Sequence, residues 1–381
     1  MHVCYLTNEY PKPGYPHGGI GSFVKTVAAP LAQRGYQVSV IGINYTADQE
    51  ELLEDGVHIY RIKKEIKKGW TWWHNFNRIS KKIAAIHQEQ PISIVETSEL
   101  GLAFLKKAPG IKYVIRLHGG HHFFAESEDR KVNFWKGWQE KRSFRKADAF
   151  VAVSNYVKTH TENYLSYHNK EVTLISYPIN TSLFQPLGIP IVKHQIAFAG
   201  TVCKKKGIVE LIRAFELVNQ KFPKATLMIY GRDWLFPNGE SFIRMLKQTE
   251  MTRLGTVADA ITFVGPVAFE SIPVKYAQAE VCVFPSHMET QGLVAPEAMA
   301  MGKAVVFTQL GPGPETIVDL ETGLLCDPYS PADIAKKIVW VFENQLAAAT
   351  MGNKAKDFVT HKYGLETILE KNINFYNAIL D

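Results

Sequence analysis

Glu289 and Glu297 lie eight positions apart in the run Glu-Thr-Gln-Gly-Leu-Val-Ala-Pro-Glu, around a single glycine. Upstream, residues 281–286 are a short apolar run that reads as a buried strand closing in a turn. Downstream, Pro296 suits the first turn of a helix and Gly302 suits its end. The segment therefore predicts strand, loop and helix N-terminus, with the leading amides of residues 293–295 open to an anion. Glu289 then sits at the loop entrance and Glu297 in the helix's first turn. A carboxylate beside a phosphate repels it, so each Glu is better suited to accept hydrogen bonds from neutral hydroxyls, such as those of sugars and riboses.

Other expected strand ends carry related chemistry. His17-Gly18-Gly19-Ile20-Gly21-Ser22 follows the first strand and opens a helix. Its glycines either bring backbone amides close to an anionic or sugar ligand or form a plain tight turn. The order is not GxGxxG, which disfavours a nicotinamide cofactor. Arg116-Leu117-His118-Gly119-Gly120-His121-His122 ends another strand, where His118 can hydrogen-bond a sugar hydroxyl or a phosphate. Three histidines also raise a metal site, yet no Asp, Glu or Cys stands at a recognisable ligand spacing. In the second half, Lys204-Lys205-Lys206-Gly207 follows a strand and precedes a helix. Lys206 is placed to neutralise a diphosphate, against the plainer reading of a solvated face. Arg232 is a second cation at a strand end. Gly311-Pro312-Gly313-Pro314-Glu315 reads equally as the floor of a nucleotide site or a structural turn. Residues 61–68 hold five cations and one anion and run into Gly69-Trp70-Thr71-Trp72-Trp73. That suits the headgroup layer of an anionic membrane, or a solvated loop with partly buried aromatics.

These segments need parallel sheets to position them. Strands are expected at 3–6, 38–43, 92–96, 113–117, 149–154 and 172–176, and again at 195–199, 226–230, 261–264, 281–285, 304–308 and 323–326. Helical stretches lie between them, one over residues 20–34 ending at Gly35. Two α/β domains follow, 1–180 and 190–362, joined by a proline-bearing hinge near residues 177–193, with a helix in 363–381 packing back on the first. Ligands bind at the carboxyl ends of such strands, so two domains facing each other place a cleft there. The 381 residues, 46% hydrophobic and 21% charged, suit a globular protein of that size. A net charge of +6 is too small to argue for nucleic acid, though anionic substrates or lipids would be attracted. No stretch approaches a membrane span, and the N-terminus runs into a strand and not a secretory signal, so a cytoplasmic location is expected. Cys4, Cys203, Cys282 and Cys326 show no CxxC spacing and read as free thiols.

In order and spacing, these segments resemble glycosyltransferase family 4, retaining nucleotide-sugar enzymes of the GT-B fold, over almost the whole chain. The resemblance implies two Rossmann-like domains, a donor site in the second and an acceptor site in the first. It makes Glu289 the residue that contacts the donor sugar and Glu297 the one that binds the ribose. The amides of Gly292, Leu293 and Val294 contact sugar and diphosphate. Gly18-Gly19, His118, Lys206-Gly207, the run 147–154 and Gly313-Pro314-Glu315 match further elements of the family. His118, Lys206 and Glu289 are the expected catalytic group, and no metal or other cofactor is required. The expected reaction moves a hexose from a UDP-sugar, or next a GDP-sugar, to a saccharide or lipid-linked acceptor, in polysaccharide or glycoconjugate synthesis. Competing readings are a nucleotide-sugar epimerase and a sugar-nucleotide binding protein without turnover. Two positions depart from the family. Thr201 stands where an Arg is common, which passes the diphosphate charge to Lys204, Lys205 or Arg232. Tyr177-Pro178-Ile179-Asn180 replaces a Pro-Asn-Gly turn, a change expected to affect only the hinge.

Overall fold

Short runs of Val, Ile, Phe and Ala, buried on both faces, alternate with helices along the chain, the pattern of parallel sheets covered on both sides. The computed structural model describes residues 1–15, 18–46, 48–66, 68–127 and 130–381, so His17 of the glycine segment and Lys67 of the basic stretch lie outside the described residues. It divides into two units, Met1–Pro178 with Leu365–Asp381, and Ile179–Gly364.

The first unit holds β1 (His2–Leu6), β2 (Gln37–Ile43), β3 (Glu50–Glu54), β4 (Val57–Ile62), β5 (Ile94–Thr97), β6 (Lys112–Leu117), β7 (Ala149–Ala152) and β8 (Val172–Leu174). Their order is β3-β4-β2-β1-β5-β6-β7-β8, parallel throughout except for the antiparallel β3 and β4. That hairpin is absent from the expected strands. Its signal is Asp55-Gly56, both at positive φ (50° and 81°) as a type I′ turn requires. The mostly exposed Glu-Glu-Leu-Leu-Glu of β3 masked it. The hairpin also corrects the basic stretch, because Arg61 is buried in β4 and pairs with Glu50, as does Lys12.

The second unit holds β9 (Gln195–Ala199), β10 (Thr226–Tyr230), β11 (Ile261–Gly265), β12 (Val281–Phe284), β13 (Ala304–Thr308) and β14 (Leu324–Cys326), in the order β11-β10-β9-β12-β13-β14 and all parallel. Phe198, Phe284 and Phe307 of this sheet pack with Phe215, Met299 and Ile338 of the covering helices. In each sheet the strand order reverses once, between β1 and β5 and between β9 and β12. The loops leaving such a pair turn to opposite faces and open a crevice beyond the strands' carboxyl ends.

The proline-bearing stretch expected as a hinge belongs largely with the second unit: Ile179 N–H donates to Tyr363 O at 2.8 Å, and Ile179 and Phe184 enter its core. The helix Leu365–Leu380 belongs to the first unit. It is fastened through Arg116 of β6, whose guanidinium is wholly buried. Arg116 Nε donates to Glu96 Oε1 at 2.7 Å and Nη2 to Glu96 Oε2 at 3.2 Å and to Asn372 Oδ1 at 2.5 Å. The Tyr376 hydroxyl donates to Glu96 Oε2 at 2.8 Å and meets that of Tyr5 at 3.1 Å. Arg116→Met leaves Glu96 buried without its counter-charge, which costs about 3–5 kcal/mol. The urea midpoint of the first unit should fall accordingly, and a wild-type midpoint would remove this network from the account of how the helix docks.

Candidate functional site

In the second unit the crevice is flanked by the loops after β9 and β12. After β9 the chain passes Gly200 and Thr201 to a short 3-10 turn, Lys204–Lys206, closed by Gly207 in the left-handed region, and enters the helix Ile208–Lys221. His287 N–H from the β12 loop donates to Lys205 O at 2.8 Å and ties the two loops together. This brings the Lys206 ammonium onto the carboxylate of Glu289 as an ion pair. Both side chains are largely shielded from solvent, so the pair is held with little rotamer freedom left to lose.

Beyond Glu289 the backbone turns at Gly292, whose φ is +74°. A Cβ there would lie 2.6 Å from the Phe307 ring, so only glycine fits. The helix Val294–Ala300 follows. The amides of Gly292, Leu293 and Val294 lie ahead of the turn bond from Ala295 N–H to Gly292 O at 3.1 Å. That bond corrects one expectation: the Ala295 amide is taken and is not open to an anion. Glu297, one turn in, is buried, and burial pushes its acid up to about 8. Arg232, just past β10, sits with Nε 3.5 Å from Thr201 Oγ1, which sets a cation beside the departing position. Lys206, Glu289, Glu297 and Arg232 therefore all lie at the carboxyl ends of strands in one sheet, as do the amides 292–294.

In the first unit His118 leaves the end of β6 and is buried. Its ring lies parallel to that of Tyr177 at 5.6 Å, and Nδ1 is 2.5 Å from the Tyr177 hydroxyl. The Tyr177 departure thus reaches further than the hinge. Burial, with the nearby Arg116 charge, pushes the imidazole down to about 3, and it is neutral at physiological pH. In the tautomer where Tyr177 donates to Nδ1, Nε2 carries the proton and presents a neutral donor. The three histidines have separate partners: His122 reaches Glu140 and Thr161 at 3.3 Å each, and His121 Nε2 accepts from Asn133 N–H at 3.0 Å.

Two buried carboxylates that the sequence reading passed over hold the loop between them. Glu99 accepts the His118 N–H at 2.7 Å and Glu140 the His121 N–H at 2.5 Å. Burial, reinforced by the Glu140 charge, pushes the Glu99 acid up to about 7. The available signal for Glu99 was an acid two residues past a buried strand at the point where the strand order reverses. Gly18 caps the helix Gly19–Gln33. A Cβ on Gly18 would strike the Glu9 carboxylate at 2.4 Å, whereas one on Gly19 would meet nothing within 4 Å. Gly18 is accounted for by its own chain, and Gly19 leaves room for a ligand's approach.

Comparison with known proteins bears on these two crevices. The profile described as Glycosyltransferase Family 4 matches residues 17–183, and that described as Glycosyl transferases group 1 matches residues 180–358. The chain is 25% identical, over 407 residues, to an uncharacterized glycosyltransferase of Methanocaldococcus jannaschii, covering 100% of this chain and 99% of that protein. Sucrose-phosphate synthase from Thermosynechococcus elongatus superposes with a TM-score of 0.83 at 21% identity, over 99% of this chain and 98% of that one. HepE from Anabaena, in complex with UDP-glucose, gives 0.76 at 18% identity, over 99% and 100%. At such identities the structures establish the fold, GT-B.

Glu297 makes stability depend on pH. Its acid rises from an ordinary 4.5 unfolded to about 8 folded, so its contribution is complete below 4.5 and is lost as pH rises through 8. The melting temperature of the second unit should fall across that window, and Glu297→Gln should flatten the fall. An equal slope in the variant would show Glu297 ionised throughout.

Proposed function

The chain belongs to glycosyltransferase family 4, and we propose that it moves a hexose from a nucleotide diphosphate sugar to an acceptor hydroxyl. The observation that carries this reading is the Lys206–Glu289 ion pair, set where the strand order reverses and beside the Gly292 turn and buried Glu297. A sugar diphosphate needs a cation at its phosphates and neutral-hydroxyl acceptors on either side, and this arrangement offers both within one unit.

In this reading the amides 292–294, Lys206 and Arg232 take the diphosphate, Arg232 standing beside Thr201. Glu289 accepts from hydroxyls of the sugar and Glu297 from those of the ribose. Donor binding then favours the Glu297 carboxylate and releases the proton that burial retains. As the bond from the anomeric carbon to the diphosphate oxygen breaks, negative charge grows on the leaving group, where a preorganised cation and amides act most strongly. The acceptor oxygen bonds to the same face of that carbon and passes its proton to the departing phosphate, so configuration is retained. The cations and amides supply the field the leaving group needs, and the reading includes no divalent metal. In the first unit, neutral His118 offers a hydrogen-bond donor for a sugar hydroxyl, and Gly19 leaves space for the acceptor.

A UDP-sugar is the favoured donor, supported by the UDP-glucose bound in HepE, with a GDP-sugar next. The acceptor is a saccharide or a glycolipid in polysaccharide or glycoconjugate synthesis, reached at an anionic membrane face that the protein contacts peripherally. UDP-, GDP- and ADP-sugars should be screened by thermal shift. A donor at a hundredfold its Kd stabilises by about 2.7 kcal/mol. No shift with any of them overturns the donor site. Lys206→Ala should cost about 10²–10³ in kcat, with Arg232→Ala weakening UDP binding. Anomeric inversion in the product, read by NMR, would remove the same-face mechanism.

A further inference from the structure

We infer that one face of the first unit, made by residues 63–66 and 68–73 and the helix Phe134–Lys146, is the surface that docks on an anionic lipid bilayer. This rests on the peripheral membrane contact proposed above and assigns it to named side chains. The two segments are one surface, because Trp72 packs on Phe104 at 4.0 Å and meets Trp135 edge-on at 5.8 Å. Trp135 in turn stacks on Trp138 at 5.0 Å, with only 11° between the rings. This aromatic base holds up residues that globular packing would have buried: Phe134 is 86% exposed, Ile66 80% and Trp70 62%. Trp73, Trp135 and Trp138 are exposed beside them. Large apolar side chains standing singly on a surface are ordinary, but a connected group of this kind marks a contact surface.

The charge around the group selects the partner. Lys63, Lys64, Lys68, Lys136, Lys141 and Arg145 are exposed along the same two segments. The acids among them do not offset this. Glu140 is wholly buried and accepts the His121 N–H, and Glu65 lies 3.5 Å from Arg78. Lys146 is turned inward, donating to Ala103 O and Leu105 O, and takes no part. Tryptophan rings sit at headgroup depth, Phe134 and Ile66 can reach the acyl boundary, and lysines pair with lipid phosphates. A saccharide would use the flat rings but leave Ile66 and Phe134 without a partner. A bilayer accommodates rings, apolar tips and cations together.

The full chain should co-sediment with phosphatidylcholine vesicles containing phosphatidylglycerol, weakly with phosphatidylcholine alone, and less as salt is raised. Lys136→Ala and Lys141→Ala should each weaken binding about fivefold. Phe134→Ser combined with Ile66→Ser should weaken it at least about tenfold. Because these side chains are exposed, the melting temperatures of the variants should match wild type, which separates lost docking from lost folding. If wild type pellets and the Phe134→Ser, Ile66→Ser protein pellets equally, this face is overturned while membrane contact stands. If wild type does not pellet with anionic vesicles, both are overturned. Retention on an acidic polysaccharide with no vesicle binding also overturns the assignment.

Discussion

A guanidinium removed completely from water must have its charge met and its donors filled, and Arg116 imposes that constraint on the first unit. Glu96 on the neighbouring strand meets the charge, Ile175 O and Asn372 fill further donors, and Phe23 of the first helix covers the guanidinium face at 4.6 Å. Four separate parts of the chain are thereby fixed to the end of β6. His118 is two residues further on and takes its position from this arrangement, while its neutrality comes first from burial. The cation that locates the strand end also disfavours a second positive charge on the imidazole.

The second unit treats charge differently. Lys206 and Glu289 neutralise each other at the crevice, and Glu297 is buried deeply enough to keep its proton. The ligand-free crevice therefore carries little net field from these three groups, although each is ionisable. A dianionic ligand would change that balance by drawing Lys206 toward itself and leaving Glu289 as a hydroxyl acceptor. Arg232 is exposed, and its side chain meets Thr201 at the long distance of 3.5 Å, so it is the more adjustable cation.

The central strands were legible because runs such as Val-Cys-Val-Phe at 281–284 are buried on both faces and have few other ways to fold. The β3–β4 hairpin was not, since three of the five residues of β3 are glutamate, it is mostly exposed, and it owes its place to pairing with β4. The amides near Gly292 could be placed from the glycine and the following helix, but the turn bond that occupies Ala295 could not. Pairings over long separations were out of reach for a different reason. Lys206 meets Glu289 across eighty-three positions, and Glu140 reaches back to the His118 loop from a helix whose exposed charges are all basic. Such contacts depend on which strand lies beside which, and spacing along one chain does not encode that.

The first unit is assembled from both ends of the described chain, with Leu365–Asp381 closing over a core begun at β1. During synthesis from the N-terminus, the second unit is contiguous and complete before Asn372 and Tyr376 exist. The first unit must wait with its buried arginine only partly partnered. The part of the first unit made earliest therefore gains its last partners only after the second unit has been synthesised.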